Sequence, residues 1–198
     1  MSLSRVSTIG MTQTPRDADL LVATEGCYVA IWDEASPVNR VGFMDEAWAL
    51  ASETVRRMGK EEHFSLFALN QRLMELSQEG ALLSWTVLFD GVFRAMGHFD
   101  LQAASSAPLA PANLGAAHES GILVCPTGRL ILGCMGQLGQ LRAPFLVLEP
   151  GVYNVIFERD DDQEIKHSFL PSASKYPAGD GPDWQLWIQR VESDEERA

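Results

Sequence analysis

The sequence is poor in the residues that define a nucleic-acid-binding or disulfide-stabilised protein. Its 15 Lys and Arg are outnumbered by 27 Asp and Glu, which gives a formal net charge of −12. Phosphates are bound by clusters of cationic side chains, so this balance disfavours direct binding of DNA, RNA or an anionic membrane. The chain has only three cysteines and no C-x-x-C spacing. We therefore expect reduced, buried thiols and no disulfide framework.

Long apolar runs are also missing. Residues 1–15 are polar and lack the apolar core of a signal peptide, and no run approaches the roughly 18 apolar residues that a membrane span needs. Apolar residues still make up 46% of the chain, which is a normal share for a globular core. These features predict a cytoplasmic, globular protein.

Apolar periodicity predicts helices in the first half of the chain. Residues 43–58 and 65–79 repeat apolar side chains at helical spacing, and a glycine follows each of them. Residues 84–97 also fit a helical spacing, although Trp85 to Phe89 is equally typical of a strand, so the type of this element stays open. Before the helices, residues 20–32 contain two apolar runs around a glycine and predict a β-hairpin.

The second half has the pattern of an antiparallel β structure. Two apolar runs flank Pro126-Thr127-Gly128, which predicts a second hairpin. Further strands are predicted at 145–149, 152–158, 164–170 and 184–191.

These elements together predict an α+β fold, with a helical N-terminal half after a short β-hairpin and an antiparallel, β-sandwich-like C-terminal half. We expect two lobes that share one core, because both are small and the segment between them is short. The predicted boundaries are a flexible segment 1–18, a mainly helical lobe 19–101, a linker 102–118, a β lobe 119–191 and an acidic tail 192–198.

The residue types that carry chemistry do not have the spacing that an active site needs. His63, His98, His118 and His167 show no metal-binding pattern, and His98-Phe99-Asp100 and His118-Glu119-Ser120 bring catalytic residue types together by adjacency alone. Gly133, Gly136 and Gly139 differ from a dinucleotide fingerprint in both spacing and context. The sequence therefore predicts no enzyme activity, no metal and no cofactor.

The densest charge cluster is acidic and lies between two predicted strands. It does not fit a calcium-binding EF-hand, because Ile165 and Pro171 occupy the positions that require Gly and Glu. A solvated turn is one interpretation of the cluster, and a contact surface for a basic protein is the other. On the second interpretation, the partner-binding residues are Glu158, Asp160, Asp161, Asp162 and Glu164.

Two tryptophans in the last predicted strand are a second candidate for partner binding. Trp184 and Trp187 differ by three positions, so a straight strand places them on opposite faces. One of them is then expected in the core and the other at the surface, where an exposed indole beside acidic side chains favours protein binding. We include Trp187 in the predicted partner-binding set.

The β half resembles bacterial immunity proteins. The resemblance covers residues 119–191 and is carried by residues 120–133, by Gly151-Val152-Tyr153-Asn154-Val155 and by the closing strand from Trp184 to Ile188. It implies a tight complex with a cognate toxin, such as a nuclease effector of a type VI secretion system. A nuclease needs a basic surface to bind DNA, and an acidic protein is suited to occupy that surface.

Two other classes of function are compatible with the same sequence. The β lobe could form a small-molecule sensor or enzyme, which requires a deep pocket with convergent polar groups. The protein could also be an adaptor or chaperone for a secreted effector, which requires binding to an unfolded or N-terminal segment of its cargo.

Overall fold

The fold was obtained as a computed structural model, which describes residues 17–24, 28–59, 64–100, 118–141, 145–168 and 181–191. The predicted flexible segment, linker and acidic tail lie almost entirely outside these residues. The boundaries at 1–18, 102–118 and 192–198 therefore stay predictions.

The described residues form nine strands and three α-helices. In chain order these are β1 (Asp17–Thr24), β2 (Tyr28–Asp33), α1 (Phe43–Arg57), α2 (Phe64–Gln78), β3 (Leu82–Thr86), β4 (Gly91–Asp100), β5 (His118–Cys125), β6 (Arg129–Cys134), β7 (Leu146–Val147), β8 (Gly151–Arg159), α3 (Asp161–Ser168) and β9 (Trp184–Val191).

The strands belong to two sheets. A five-stranded sheet has the order β1-β4-β9-β8-β5, and a four-stranded sheet has the order β3-β2-β6-β7. β4 and β9 are parallel, with Ala95 opposite Trp184 and His98 opposite Trp187, whereas the other pairs are antiparallel. β9 therefore lies at the centre of the larger sheet, between β4 and β8.

Two apolar cores hold the layers together. The larger core is formed by side chains from both sheets, and its aromatic centre includes Trp85 stacked on Phe157 at a centroid distance of 4.8 Å, and Phe93 at 5.1 Å from Trp184. The smaller core lies on the other side of the four-stranded sheet, where Trp32 packs with side chains of α1 and α2. The order of layers is α1 and α2, then the four-stranded sheet, then the five-stranded sheet.

The predicted division into a helical half and a β-sandwich-like half is wrong. The structure is a mixed α/β arrangement, in which strands predominate and the helices are spread along the chain. Both sheets contain strands from both halves: β1 and β4 join β5, β8 and β9 in one sheet, and β2 and β3 join β6 and β7 in the other. The C-terminal half therefore does not form a β structure of its own.

Both predicted hairpins are wrong in their pairing, although their strands exist. β1 pairs with β4 while β2 pairs with β3 and β6, so the two runs lie in different sheets. In the same way β5 pairs with β8 while β6 pairs with β2 and β7. The short connections pass from one sheet to the other, which a local pattern cannot distinguish from a tight turn within one sheet.

The helical interpretation of residues 84–97 is wrong, and so is the predicted strand 164–170. The first segment contains part of β3 and most of β4, in which buried Phe93, Ala95 and Phe99 alternate with partly exposed side chains. The segment covers two strands separated by a turn, and the apolar residues of the two strands together fit a helical spacing by coincidence. The second segment instead contains the end of α3.

The two helices of the first half are confirmed. α1 has Asp45 and Glu46 in its first turn and Arg56 and Arg57 in its last turn, which is the charge order that the helix dipole favours. Phe43 of α1 belongs to the smaller core, as do Leu73 and Leu76 of α2. Apolar periodicity predicts these helices well because they pack on a sheet with one face only.

A buried carboxylate fixes the connection that carries the chain from the five-stranded to the four-stranded sheet. Asp33, at the end of β2, is fully buried. Both of its oxygens accept the hydroxyl of Thr127 at 2.8 Å, and they also accept the backbone N–H groups of Ala35 at 2.8 Å and Thr127 at 3.3 Å. Gly128 follows with φ 67°, and a Cβ there would lie 2.3 Å from the carbonyl oxygen of Leu148. The turn therefore requires both the acid and the glycine.

Replacing Asp33 by Ala should lower the free energy of unfolding by about 2–3 kcal/mol, because buried N–H and O–H donors lose an ionised acceptor. Urea denaturation measures this loss. The matched control is Glu119→Ala, an exposed acid of β5, which should change stability by less than about 0.5 kcal/mol. Equal effects of the two substitutions would contradict the role given to Asp33.

The two described cysteines are buried: Cys125 is fully enclosed and Cys134 is 3% exposed. Burial raises the pKa of the Cys125 thiol, and the charge of Asp33 adds to the effect. A thiol reagent such as DTNB should therefore label neither cysteine in a folded Cys27→Ser variant, and it should label both after unfolding in guanidinium. Rapid labelling of the folded variant would show that these thiols are accessible.

Candidate functional site: an acidic corner beside helix α3

The acidic run predicted for partner binding is divided between the surface and the interior. Asp160, Asp161 and Asp162 are exposed at the start of α3, whereas Glu164, one helical turn further on, is fully buried. Asp160 precedes the helix, and its carboxylate accepts the backbone N–H of Gln163 at 3.0 Å. Asp160 thus acts as the N-cap of α3.

Glu164 connects α3 to two other parts of the fold. One carboxylate oxygen accepts the backbone N–H groups of Leu88 at 2.5 Å and Phe89 at 3.1 Å, and the other accepts the indole N–H of Trp184 at 3.0 Å. Leu88 and Phe89 lie in the connection between β3 and β4, and Trp184 begins β9. Glu164 is therefore part of the interior, and a partner protein cannot contact it in this arrangement.

A buried pair of side chains, His167 and Asp183, lies near Glu164. Nδ1 of His167 is 2.5 Å from a carboxylate oxygen of Asp183, and both side chains have no exposed surface. The other oxygen of Asp183 accepts the backbone N–H of Arg94 at 2.7 Å, and the Asp183 carbonyl accepts the N–H of Asp160 at 2.9 Å. This His–Asp pair joins α3 to β4 and to the start of β9. Being fully enclosed, it has no access to a substrate.

The exposed residues around α3 form a surface that we call the acidic corner, consisting of Asp160, Asp161, Asp162, Leu88 and Ile165. Leu88 is 36% exposed and Ile165 is 43% exposed, so apolar surface adjoins the three carboxylates. The contacts of Glu164 hold the Leu88 connection against α3 and so bring the two parts of the corner together. Apolar surface with a polar rim is the usual composition of a protein interface.

Asp161 is fixed in place by Arg159. The Arg159 guanidinium is 2.5 Å from the Asp161 carboxylate and also donates to the backbone carbonyl of Thr86 at 2.8 Å. Arg159 therefore orients Asp161 and partly neutralises it.

The structure does not bring Trp187 to the acidic corner. Trp184 lies in the larger core, whereas Trp187 points from the opposite face of β9 and belongs to neither core. Trp184 and Trp187 are three positions apart, which corresponds to about 10 Å along the strand. Trp187 is only 5% exposed and stacks on His98 at a centroid distance of 5.3 Å. The indole expected at the surface is thus largely covered.

His98 forms a contact that adjacency in sequence does not show. Its Nδ1 lies 2.7 Å from a carboxylate oxygen of Asp17, and its Nε2 lies 3.2 Å from the side-chain oxygen of Gln185. The imidazole therefore bridges β1 and β9 across β4. Glu158, another predicted partner-binding residue, lies on β8 opposite Gln185 and is only partly exposed.

The remaining motifs have structural positions. Gly133 lies near the end of β6, and Gly136 lies in a short 3-10 turn, Met135–Gln137. A dinucleotide site requires an α-helix directly after the strand, and none follows β6 here. Gly139 has φ 77° and packs against the backbone before α1. Glu119 and Ser120 are adjacent in β5 and therefore point to opposite faces. Within the described residues, no group of three or more His, Cys, Asp or Glu could hold a metal ion.

Sequence reasoning missed the helix that carries the corner. Asp160 followed three positions later by Gln163 is the signature of a helix N-terminus, and it was available in the sequence. Asp183, in contrast, has no local signal, because its partners Arg94 and His167 are far away in the chain.

The positive charges of the described surface are mostly neutralised within the protein. Except for Arg56, every described arginine lies within ion-pair distance of a carboxylate. The pairs are Arg40–Glu46, Arg57–Glu53, Arg72–Glu75, Arg94–Asp19, Arg129–Glu34, Arg159–Asp161 and Arg190–Glu149. Exposed pairs of this kind contribute little to stability, but they leave carboxylates as the surplus charge.

Two solved structures are similar to this chain. The crocagin biosynthetic gene J protein has a TM-score of 0.61 and 22% sequence identity, over 88% of this chain and 96% of its own. ComJ of Bacillus subtilis, an inhibitor of the DNA-degrading activity of NucA, has a TM-score of 0.42 and 8% identity, over 93% of this chain and 100% of its own. No protein-family model and no curated protein sequence matches the chain. The first similarity shows a shared fold, and neither identifies a function.

None of the described helices is long and apolar enough to cross a membrane.

Replacing Asp160 by Ala should lower the free energy of unfolding by about 1 kcal/mol, because α3 loses its N-cap acceptor. Urea denaturation measures the change. Asp162→Ala removes the same charge two positions further on but no capping bond, so its effect should be less than half as large. If the two variants lose the same stability, charge and not capping accounts for the effect.

Proposed function

We propose that this protein is an immunity protein without catalytic activity, which binds a cognate bacterial toxin through the acidic corner. The observation that carries the proposal is the composition of this corner. It combines three exposed aspartates with the exposed apolar side chains of Leu88 and Ile165, and among the described arginines Arg159 is the one that pairs with these aspartates. A surface of this kind is complementary to a basic surface with apolar contacts at its centre.

A nuclease is the toxin class that best fits this chemistry. The DNA-binding surface of a nuclease carries Lys and Arg because it must neutralise phosphates. The exposed carboxylates of the corner would meet those cations and exclude the DNA, and the net charge of −12 would accelerate association at low ionic strength. The resemblance of residues 119–191 to immunity proteins supports the same class and adds a type VI secretion effector as the proposed partner. With a TM-score of 0.42, the similarity to ComJ adds no support.

Binding rather than catalysis is proposed because the buried His–Asp pair of the described residues cannot reach a substrate, since His167 and Asp183 have no exposed surface. The pair of His98 and Asp17 is partly exposed, but its ring stacks on Trp187 and both ring nitrogens are in contact with other side chains. A cytoplasmic location belongs to the proposal too, because a toxin that cleaves chromosomal DNA must be neutralised where the DNA is.

Co-expression with the product of each neighbouring gene tests the proposed function. One of these products should arrest growth and degrade plasmid DNA when expressed alone, and co-expression of this protein should prevent both effects. The two proteins should then purify together as a complex. If no neighbouring product is toxic, or if a toxic product is not bound, the proposed function is wrong.

Charge reversal tests the acidic corner as the contact surface. The double variant Asp161→Lys/Asp162→Lys should weaken toxin binding at least 10-fold at low salt, because two carboxylates of the interface become cations. Titration calorimetry or surface plasmon resonance measures the affinity, and the urea midpoint shows whether the variant is folded.

The matched control is Asp45→Lys/Glu79→Lys, which changes the net charge equally but at exposed positions on α1 and just after α2. It should retain affinity within about threefold, through the general field alone. Equal weakening by the two double variants would show that only the total charge matters and would remove the corner from the proposal.

A further inference from the structure

The short helix α3 is attached to the rest of the protein in a different way from α1 and α2. Only two of its side chains are buried, and both are polar: Glu164 and His167. Its one apolar side chain, Ile165, is 43% exposed. A helix of this length does not form alone in water, so its stability must come from tertiary contacts. For α3 those contacts are hydrogen bonds.

The attachment has two parts. The carboxylate of Glu164 accepts three N–H groups, from Leu88, Phe89 and Trp184. One turn later His167 pairs with Asp183, which is itself held by the backbone of Arg94. We call these two side chains of α3, with Asp183, the polar clamp. Their acceptors and donors lie on β4, on the connection before it and at the start of β9.

α1 and α2 provide the contrast. α1 buries Phe43, Ala51 and Val55, and Leu73 and Leu76 of α2 belong to the same core as Trp32. Separating these helices from the sheet would expose a continuous apolar surface, so they are expected to unfold only with the core. Separating α3 would break hydrogen bonds that water can replace, and it would expose little new apolar surface.

We propose that α3 is a releasable element, which detaches from β4 and β9 when the polar clamp opens, while both sheets stay folded. The opened state would exchange the carboxylate contacts of Glu164 for water and would leave the aromatic core between the sheets unchanged. The positions of Asp161 and Asp162 relative to Leu88 would then depend on an equilibrium between an attached and a detached helix. This inference does not depend on the proposed immunity function, because the equilibrium exists in the protein alone.

Native-state hydrogen exchange of the full chain in 0 M and in sub-denaturing urea tests the proposal. The amides of Ile165 to Ser168 should exchange at least 10-fold faster than those of Val155 and Ile188 in the central strands. Their rates should also be almost independent of urea, because local opening exposes little surface, whereas the strand amides should respond steeply. If the helix amides match the strand amides in both rate and urea dependence, α3 unfolds only with the whole protein and the proposal is wrong.

Glu164→Gln and Asp162→Asn form the matched pair of variants. Both remove one charge from α3, but the glutamine amide N–H₂ must oppose one of the N–H donors that Glu164 accepts. Glu164→Gln should therefore accelerate exchange of the α3 amides at least a further 10-fold and leave Val155 and Ile188 unchanged. Asp162→Asn should stay within about threefold of the unmodified protein. Equal acceleration of helix and strand amides by Glu164→Gln, or failure of that variant to fold, would overturn the proposal.

Discussion

Buried carboxylates determine the connections of this fold, although the protein already carries a formal net charge of −12. Asp33, Glu164 and Asp183 have no exposed surface, and each accepts backbone N–H groups from a segment distant in sequence. Burying a carboxylate without such donors would be strongly unfavourable. Each acid therefore specifies one arrangement of the chain: Asp33 fixes the passage between the two sheets, while Glu164 and Asp183 fix α3 against β4 and β9.

These interior acids explain why total charge is a poor guide to the functional surface. In the acidic run from Glu158 to Glu164, one residue caps a helix, one pairs with Arg159 and one is enclosed. The exposed remainder is smaller than the sequence suggests, but while α3 is attached its position is set by Glu164, which holds the exposed Leu88 beside the helix. Glu164, which was predicted to contact the partner, thus instead holds together the surface that is proposed to bind it.

The sequence predicted the parts of the fold whose signals are local. α1 and α2 pack with one face only, so their apolar residues recur at helical spacing. β8 and β9 are rich in β-branched and aromatic residues, and both were predicted close to their observed bounds. The sheet pairings were not predictable in this way. β4 pairs with β9 through residues about ninety positions apart, such as Ala95 and Trp184, and no local pattern records such a pairing.

The site shows the same division. The capping pattern of Asp160 and Gln163 is local and sufficient to indicate a helix, but the three aspartates in a row favoured the interpretation as a turn. The burial of Glu164 and of Trp187 depends on the other elements that pack around them. Charge alone predicts an exposed position for Glu164, and aromatic character alone predicts a core or a surface position for Trp187 equally well. The contacts of His98 with Asp17 and Gln185 likewise arise from three neighbouring strands.

The central claim is that the acidic corner is the surface on which a basic protein partner binds. Hydrogen exchange of the complex compared with the free protein tests it most directly. The account predicts new protection concentrated at residues 87–90 and 161–168, with little change in α1 and α2. Protection that appears on α1 and α2 and leaves α3 unchanged would contradict the account.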